Sequence, residues 1–120
     1  MITVIGGSGF IGSFLCKALN EMNIPFEIVD LKKSPLFPER TKIADIRDKE
    51  ALSAAVTGEV LVHLAAVHRD DVRDTSQYYT TNVEGTRNIC EIATARQIAR
   101  IVFTSSVAVY GFAPPNTGSD

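Results

Sequence analysis

Apolar residues along this chain follow two different spacings. Predominantly apolar segments are typical of strands buried on both faces of a parallel sheet, and they predict strands at residues 2–5, 26–30, 60–65 and 100–105. A further short strand is predicted near 41–44. Amphipathic helices are predicted between them, over about 11–22, 48–57 and 77–96. Strands that alternate with helices pair in parallel through right-handed crossovers. The pattern therefore predicts an α/β fold built on a doubly wound parallel sheet.

A glycine-rich loop separates the first predicted strand from the first predicted helix. It runs from Gly6 to Gly12 and reads GGSGFIG. Gly7, Gly9 and Gly12 fit G-x-G-x-x-G, whereas Gly6, Gly9 and Gly12 fit G-x-x-G-x-x-G, and the loop alone does not decide between them. Glycines allow a sharp turn from strand to helix and a close approach of a pyrophosphate to backbone N–H groups. We therefore predict a dinucleotide-binding loop; the alternative is a glycine-rich turn without a ligand.

The first predicted helix has apolar residues at helical spacing, which predicts the face that packs on the sheet. These residues are Ile11, Phe14, Leu15, Ala18, Leu19 and Met22. The positive end of this helix then points at the glycine loop, where an anion is favoured.

An acidic residue ends the second apolar run. Asp30 lies 18 residues after Gly12, where a carboxylate accepts hydrogen bonds from the ribose hydroxyls of an adenosine. Its charge also repels a 2′-phosphate, which favours NAD over NADP, although Lys32 and Lys33 partly offset that repulsion. The alternative is that Asp30 serves only as a turn residue at the strand end.

Composition limits the class of protein. A chain of 120 residues with 45% apolar residues forms one globular domain, short for an enzyme with separate cofactor and substrate sites. The net charge of −2, with both signs interspersed, leaves no footprint for nucleic acid or an anionic membrane. The first strand starts at once and no long apolar stretch occurs, so we expect neither a signal peptide nor a membrane anchor, and a cytoplasmic location.

The cysteines and one histidine are expected in the core. Cys16 and Cys90 fall in predicted helices without metal-ligand or redox-motif spacing, so we expect reduced, buried thiols and no metal site. His63 lies inside an apolar run, which favours a packed core histidine over a catalytic base.

Six features in register resemble the extended short-chain dehydrogenase/reductase superfamily, and within it the NAD-dependent epimerase/dehydratase family, to which the UDP-glucose 4-epimerases belong. They are the loop Gly6 to Gly12, Asp30, Asp45-Ile46, His63-Leu64-Ala65-Ala66, Asn82 to Thr86 and Ser105 to Gly111. The resemblance covers essentially the whole chain. It implies a Rossmann-like fold, NAD as the cofactor, a nucleotide-sugar substrate and a homodimer in the full-length enzyme, with the helix near 77–96 at the dimer contact.

The resemblance also implies individual cofactor contacts. They fall on Gly6, Gly9, Phe10, Ile11, Gly12, Asp30, Lys32, Asp45, Ile46, Leu64, Ala65, Ala66, His68, Asn82, Thr104 and Ser105. Small or apolar residues at 64–66 suit close contact with the cofactor, but they also suit an ordinary strand tip. His68 is either close to the cofactor or a surface loop residue, and for Asn82 we expect structural support rather than direct catalysis.

The third strand end carries a second pair of signals. In similar enzymes the carboxylate at Asp45 binds the adenine amino group, and the backbone N–H at Ile46 meets a ring nitrogen. The alternative is that Asp45 only starts a turn into the next helix, which Asp48 is expected to cap and Gly58 to follow as a stop signal.

Ser106 is the residue that we expect to carry chemistry. In similar enzymes a hydroxyl at this place, four residues before Tyr110, bonds the substrate oxygen whose carbon exchanges hydride. The alternative is a strand-end hydroxyl with structural bonds only. The superfamily's general acid/base is a tyrosine with a lysine four residues later, and none of the three tyrosines has that partner. We therefore expect residues 1–110 to be the NAD-binding domain and 111–120 a tail leading to a missing C-terminal part.

Four hypotheses remain open from the sequence. The leading hypothesis is the NAD-binding portion of a nucleotide-sugar epimerase or dehydratase that is inactive by itself. A reductase or dehydrogenase of the same superfamily is the second hypothesis. The third is a non-catalytic dinucleotide-binding module, and a purely structural α/β domain is least favoured.

Overall fold

The structure, a computed structural model, describes residues 1–64 and 75–103, with side chains described outside 75–81. Its strands are β1 (Ile2–Ile5), β2 (Phe26–Asp30), β3 (Thr41–Ile43), β4 (Val60–His63) and β5 (Arg100–Phe103). Its helices are α1 (Phe10–Glu21), α2 (Lys49–Ala55) and α3 (Thr75–Ala95), and a single 3₁₀ turn, Pro38–Arg40, precedes β3. The predicted elements are thus confirmed with ends shifted by up to two residues where they are described, and only the 3₁₀ turn was not predicted.

The five strands form one parallel sheet in the order β3-β2-β1-β4-β5. The chain moves outward from β1 to β3 and then returns to place β4 on the other side of β1. Ile5, the last residue of β1, pairs with Val29 on one side and His63 on the other. This reversal confirms the doubly wound sheet, and it places a switch point at the carboxyl end of β1, where such sheets bind ligands.

The sheet is covered by helices on two faces. Val4 and Ile28 pack with α1, whereas their neighbours Ile5 and Val29 pack with α2 and α3 on the opposite side. Successive side chains of a strand point to opposite faces, so a strand covered on both sides requires apolar residues without alternation. This arrangement explains why adjacent residues are apolar in both strands, Val4 with Ile5 in β1 and Ile28 with Val29 in β2.

The predicted buried face of α1 was partly wrong. Leu19 is buried, but Ile11, Phe14 and Met22 are 62%, 64% and 66% exposed. The row that faces the sheet consists of Gly12, Cys16 and Leu19, at spacings of four and three residues. Because Gly12 packs directly against the backbone below it, the helix is rotated so that the neighbouring apolar residues lie on its flank.

The longest helix, α3, also corrects a prediction. Its buried row contains Ile89, Ile92 and Ala93, whereas Cys90 lies one position away and is exposed rather than in the core. Cys16 is buried as predicted, and burial raises the pKa of its thiol to about 11 while the charge of Arg40 opposes that rise. Across 1–64 and 75–103, none of the helices combines the length and the apolar content that crossing a membrane requires.

The ends of α2 confirm one signal and revise another. The Asp48 side chain accepts a hydrogen bond from the backbone N–H of Ala51 at 3.1 Å, so the predicted cap is present. Gly58 is not a helix stop, since α2 already ends at Ala55. It is buried instead against Thr3, whose hydroxyl accepts the Gly58 N–H at 2.9 Å. A Cβ at residue 58 would meet that hydroxyl, so glycine is required there by packing.

The buried carboxylate of Glu27 connects β2 to β1, to β3 and to the segment that follows α2. Glu27 on β2 accepts hydrogen bonds from the Thr3 hydroxyl at 2.6 Å, from the Thr57 N–H at 2.7 Å and hydroxyl at 2.6 Å, and from the Lys42 ammonium at 2.8 Å. Burial raises the pKa of Glu27, but these hydrogen bonds lower it by more than burial raises it. The resulting pKa is about 2. The charge is therefore compensated inside the fold, as a buried ion must be.

We expect Glu27→Gln to lower the free energy of unfolding by about 3 kcal/mol, because the Lys42 charge and the threonine donors lose their partner. Denaturant unfolding at pH 7 measures this, with Glu59→Gln at an exposed position as the control. The contribution of Glu27 is complete above its ordinary pKa of 4.5 and is lost as the pH falls toward 2, so the two proteins converge in acid. Equal stability at pH 7 would contradict the assignment.

Candidate functional site

Four strand ends are joined at one edge of the sheet. The N–H of Gly6 bonds the Val29 carbonyl at 2.8 Å, and the N–H of Leu64 bonds the Ile5 carbonyl at 2.8 Å. The N–H of Ala44 bonds the Asp30 carbonyl at 3.0 Å. These backbone bonds bring the loops after β1, β2, β3 and β4 together, so the described part of the predicted cofactor set gathers around this edge.

The glycine loop turns the chain from β1 into α1. Gly6 has φ of 85°, a conformation that favours glycine, and its carbonyl accepts the Gly9 N–H at 3.3 Å. Gly9 precedes α1 with extended backbone, and no side chain caps the helix. The first N–H groups of a helix have no partner within it, so those of Phe10, Ile11 and Gly12 are left for a ligand or solvent. Such an end favours an anion.

The glycines of the loop have different roles. A Cβ at Gly12 would lie 2.5 Å from the Gly7 Cα and 2.6 Å from the Gly6 carbonyl oxygen, so α1 sits directly on the turn. A Cβ at Gly7 would lie 2.9 Å from the Ile28 side chain, whereas Gly9 is exposed and its nearest atom would be at 3.6 Å. Gly6 serves the turn, Gly7 and Gly12 are required by packing and Gly9 is open to a ligand, so the geometry is compatible with both glycine patterns.

Asp30 lies beside this loop with both carboxylate oxygens engaged. Oδ2 accepts the Ser8 N–H at 2.9 Å and Oδ1 accepts the Leu31 N–H at 2.6 Å. The predicted turn role is therefore present. Each carboxylate oxygen can accept more than one hydrogen bond, so the same carboxylate retains acceptor capacity for a pair of hydroxyls. Lys32 is exposed, and its carbonyl accepts the Ser8 hydroxyl at 2.6 Å.

Asp45 forms a turn and also an ion pair with Arg47. The ion pair was not predicted from the sequence. Its Oδ1 accepts the Arg47 N–H at 2.9 Å, and its Oδ2 lies 2.7 Å from Nη2 of the same arginine. The Arg47 hydrogen bond holds the pKa of Asp45 below its usual value, against the effect of burial. The turn is therefore present, whereas whether Asp45 also contacts adenine stays a prediction. A cation two residues after the carboxylate was the available signal for this pair.

Ile46 is fixed by α3. Its side chain is 7% exposed, and a Cβ at Gly85 would collide with it, so α3 passes directly over it. The Ile46 carbonyl accepts the Asn88 amide at 2.9 Å. The side chain therefore belongs to the core, which agrees with a predicted role that uses only the backbone N–H. Asn82 lies further toward the start of α3 and is partly buried.

His63 confirms the prediction of a packed core histidine. It is 7% exposed, its Nε2 lies 3.2 Å from the Thr86 hydroxyl, and its ring meets the Phe103 ring edge-on at 5.5 Å. Burial lowers its pKa, which favours the neutral ring, and Nδ1 has no hydrogen-bond partner among the described residues. Leu64, the next residue, is partly buried and packs on the α1 side of the sheet.

Several predicted site residues lie outside the described residues. They are Ala65, Ala66, His68, Thr104, Ser105 and Ser106. The contact predicted for each of them, and the substrate-orienting role of Ser106 in particular, stays a prediction. The same holds for the predicted tail at 111–120.

Comparison with known proteins defines the class to which this fold and site belong. The model of the NAD dependent epimerase/dehydratase family matches residues 2–120, and the chain belongs to that family. A 4-epimerase from Escherichia coli O157:H7, named for N-acetyl-alpha-D-glucosaminyl-diphospho-ditrans,octacis-undecaprenol, is 46% identical over 92% of this chain and 33% of its own length. An L-arabinose 1-dehydrogenase (NAD(P)(+)) from Haloferax volcanii is 34% identical over 91% of this chain and 42% of its own.

Solved structures agree with the fold. A short-chain dehydrogenase/reductase superfamily protein from Agrobacterium tumefaciens with bound NAD is 31% identical, with a TM-score of 0.86 over 98% of this chain and 36% of its own. The Thermus thermophilus UDP-glucose 4-epimerase complex with NAD is 26% identical, with a TM-score of 0.84 over 99% of this chain and 42% of its own. The chain therefore spans 33% to 42% of the length of these similar proteins.

We expect Gly12→Ala to lower the free energy of unfolding by about 2 kcal/mol. The new methyl group would overlap backbone atoms, which cannot adopt another rotamer as a side chain can. Gly9→Ala is the matched control in the same loop, where the nearest atom to the new methyl group, the Gly6 carbonyl oxygen, lies at an ordinary contact distance of 3.6 Å. Thermal and denaturant unfolding of both variants measure the difference. If the two variants lost equal stability, the close seat of α1 on the loop would be refuted.

Replacement of Arg47 by methionine is expected to raise the pKa of Asp45 toward its ordinary value, because the guanidinium bonds are lost and only the backbone N–H bond remains. A folded-state pKa that is held low contributes stability above the ordinary pKa, and that stability disappears as the pH falls. The variant should thus lose less on acidification. NMR titration of the Asp45 carboxyl carbon tests this, with Arg87→Met as control, and an unshifted titration would refute the pairing.

Proposed function

We propose that this chain binds NAD at the carboxyl edge of its sheet, as the cofactor-binding part of an epimerase that acts on a sugar attached through a diphosphate. The observation that carries the proposal is the juxtaposition of a backbone-lined anion site at Gly9 to Gly12 with the Asp30 carboxylate, joined through Ser8. A dinucleotide needs both, because its pyrophosphate is an anion and its ribose presents two neighbouring hydroxyls. Two similar proteins, with TM-scores of 0.86 and 0.84, were solved with NAD.

The residues that would hold the cofactor follow from the geometry. The free N–H groups of Phe10, Ile11 and Gly12 face the position of a pyrophosphate. Asp30, kept in place by two backbone N–H donors, accepts the adenosine ribose hydroxyls. Asp45 and the Ile46 N–H are assigned to the adenine edge. In this assignment Asp45 accepts from the adenine amino group, and its hydrogen bonds to Arg47 lower its pKa further below the usual value.

The reaction assigned to the whole enzyme is a reversible oxidation of one sugar carbon. NAD, when bound, supplies the acceptor for the hydride. Ser106 is assigned to hydrogen-bond the sugar oxygen on that carbon and so to orient it. No tyrosine in these 120 residues is followed four positions later by a lysine, so proton transfer is not assigned to this chain. Homodimerisation through α3 is retained as a proposal.

The substrate class rests on the names of the similar proteins. The 46% identical 4-epimerase is named for a sugar linked by a diphosphate to a polyprenol, and a 32% identical protein from Yersinia pestis is a UDP-glucose 4-epimerase. Their common element is a hexose on a diphosphate, which we propose as the substrate class, with a nucleotide or a polyprenol as the carrier. A dehydrogenase is the second candidate, supported by the 34% identity to L-arabinose 1-dehydrogenase.

We expect calorimetric titration of the chain to show NAD binding in the micromolar to submillimolar range and much weaker NADP binding, because Asp30 repels a 2′-phosphate. Asp30→Asn should weaken NAD binding about tenfold, since a charge-assisted hydrogen bond to the ribose is lost, and should not weaken NADP binding.

Asp48→Asn is the matched control for this titration. It removes the same charge at an exposed helix cap, where asparagine caps as well as aspartate, so the affinity for NAD should stay unchanged. A chain that is folded by circular dichroism and binds no NAD would contradict the proposed function.

A further inference from the structure

Ser8 ties the glycine loop to the segment that follows β2. Its backbone N–H bonds Asp30 Oδ2 at 2.9 Å, and its hydroxyl bonds the Lys32 carbonyl at 2.6 Å. The partners lie 22 and 24 residues away in sequence. Residue 8 is a variable position in both glycine patterns, so neither pattern accounts for these bonds. The Ser8 hydroxyl is the one side-chain group of the described part of the loop that reaches the second strand end.

The segment 31–33 follows Asp30 directly and is held at both ends. Leu31, Lys32 and Lys33 are exposed, and the segment continues to Ser34, which is buried. Ser34 is itself fixed, because its N–H bonds the Thr41 hydroxyl at 3.2 Å. The stretch from 31 to 33 is thus fastened at its far end by the fold and at its near end by Asp30 and the Ser8 bond. An O–H···O distance of 2.6 Å is at the short end of the normal range, which indicates a well-formed bond.

A 2′-phosphate needs more room here than a 2′-hydroxyl. The Asp30 carboxylate is held by the Ser8 and Leu31 N–H groups. In the proposed binding mode it faces the adenosine ribose hydroxyls, so a 2′-phosphate would bring a second negative charge against it. An outward movement of the 31–33 segment would relieve this repulsion, because a lysine ammonium could then replace the carboxylate as the nearest charge. That movement breaks the hydrogen bond between Ser8 and the Lys32 carbonyl.

We propose that Ser8 is a positioning residue that sets the preference for NAD over NADP, by holding the 31–33 segment against the glycine loop. This inference rests on the proposed binding of NAD at this edge. The Ser8 hydroxyl touches neither reacting atoms nor the nicotinamide in this assignment; it acts through Lys32 and Asp30. Its loss leaves the Ser8 N–H bond to Asp30 in place, so NAD binding persists while the barrier to NADP falls.

The test compares the affinities of Ser8→Ala and wild type for NAD and NADP by calorimetry on the full chain. We expect the ratio of the NADP to the NAD dissociation constant to fall about fivefold, in line with the loss of one hydrogen bond. Ser13→Ala removes a hydroxyl from the first turns of α1 and serves as the matched control, with an unchanged ratio. Adding Lys32→Ala and Lys33→Ala to the Ser8→Ala protein should reverse the gain in NADP affinity.

The outcomes separate this inference from the proposed function. If wild type binds NAD and Ser8→Ala changes both affinities by the same factor, Ser8 is a structural residue only and the inference is overturned. If Ser8→Ala changes neither affinity, the inference is overturned as well. If folded wild type binds neither dinucleotide, both the proposed function and the inference fail. Ser8→Thr, which keeps the hydroxyl, should retain the wild-type ratio and thus excludes a simple effect of altered loop folding.

Discussion

The contact between α1 and the turn after β1 is the constraint on which the rest of the site depends. No Cβ fits at Gly12, since the Gly6 and Gly7 backbone fills that space. Backbone atoms do not repack as side chains do, so the contact fixes both the distance and the rotation of the helix. The same rotation places Cys16 and Leu19 in the core and leaves the first helical N–H groups at the sheet edge. Core packing and anion binding are therefore two results of one contact.

Three acidic side chains near this sheet show how environment assigns different tasks to one functional group. Glu27 is buried under four donors and serves the fold. Within residues 1–64 and 75–103, Asp30 accepts two backbone N–H donors at a strand end, which hold it without exhausting its acceptor capacity. Asp45 is exposed enough to be paired with a neighbouring arginine. A carboxylate that the fold holds in place, but whose oxygens can still accept further hydrogen bonds, is therefore the one best suited to bind a ligand.

The sequence predicted the strands well because a strand covered on both faces requires an uninterrupted apolar run, which is a local signal. The helix faces were harder. Phe14 has the spacing of a core residue but lies on the flank of α1, since the seat of Gly12 sets the rotation, and Cys90 misses the buried row of α3 by one position. The hydrogen bonds of Ser8 to Asp30 and Lys32 depend on which strand ends lie side by side in the fold. The sequence alone does not give that arrangement.

What the described residues share with similar proteins is the handling of a cofactor rather than the choice of a substrate. Proteins named as a 4-epimerase and as a sugar dehydrogenase both match over 91% or more of this chain, at 46% and 34% identity. The first is named for an epimerisation and the second for a dehydrogenation with NAD(P)(+), so their names give different reactions on different substrates. The bonds that build this edge are mostly made by backbone atoms of adjoining loops, which keep their geometry when the surface residues change. The matched region, which includes this edge, is therefore common to proteins that are named for different reactions.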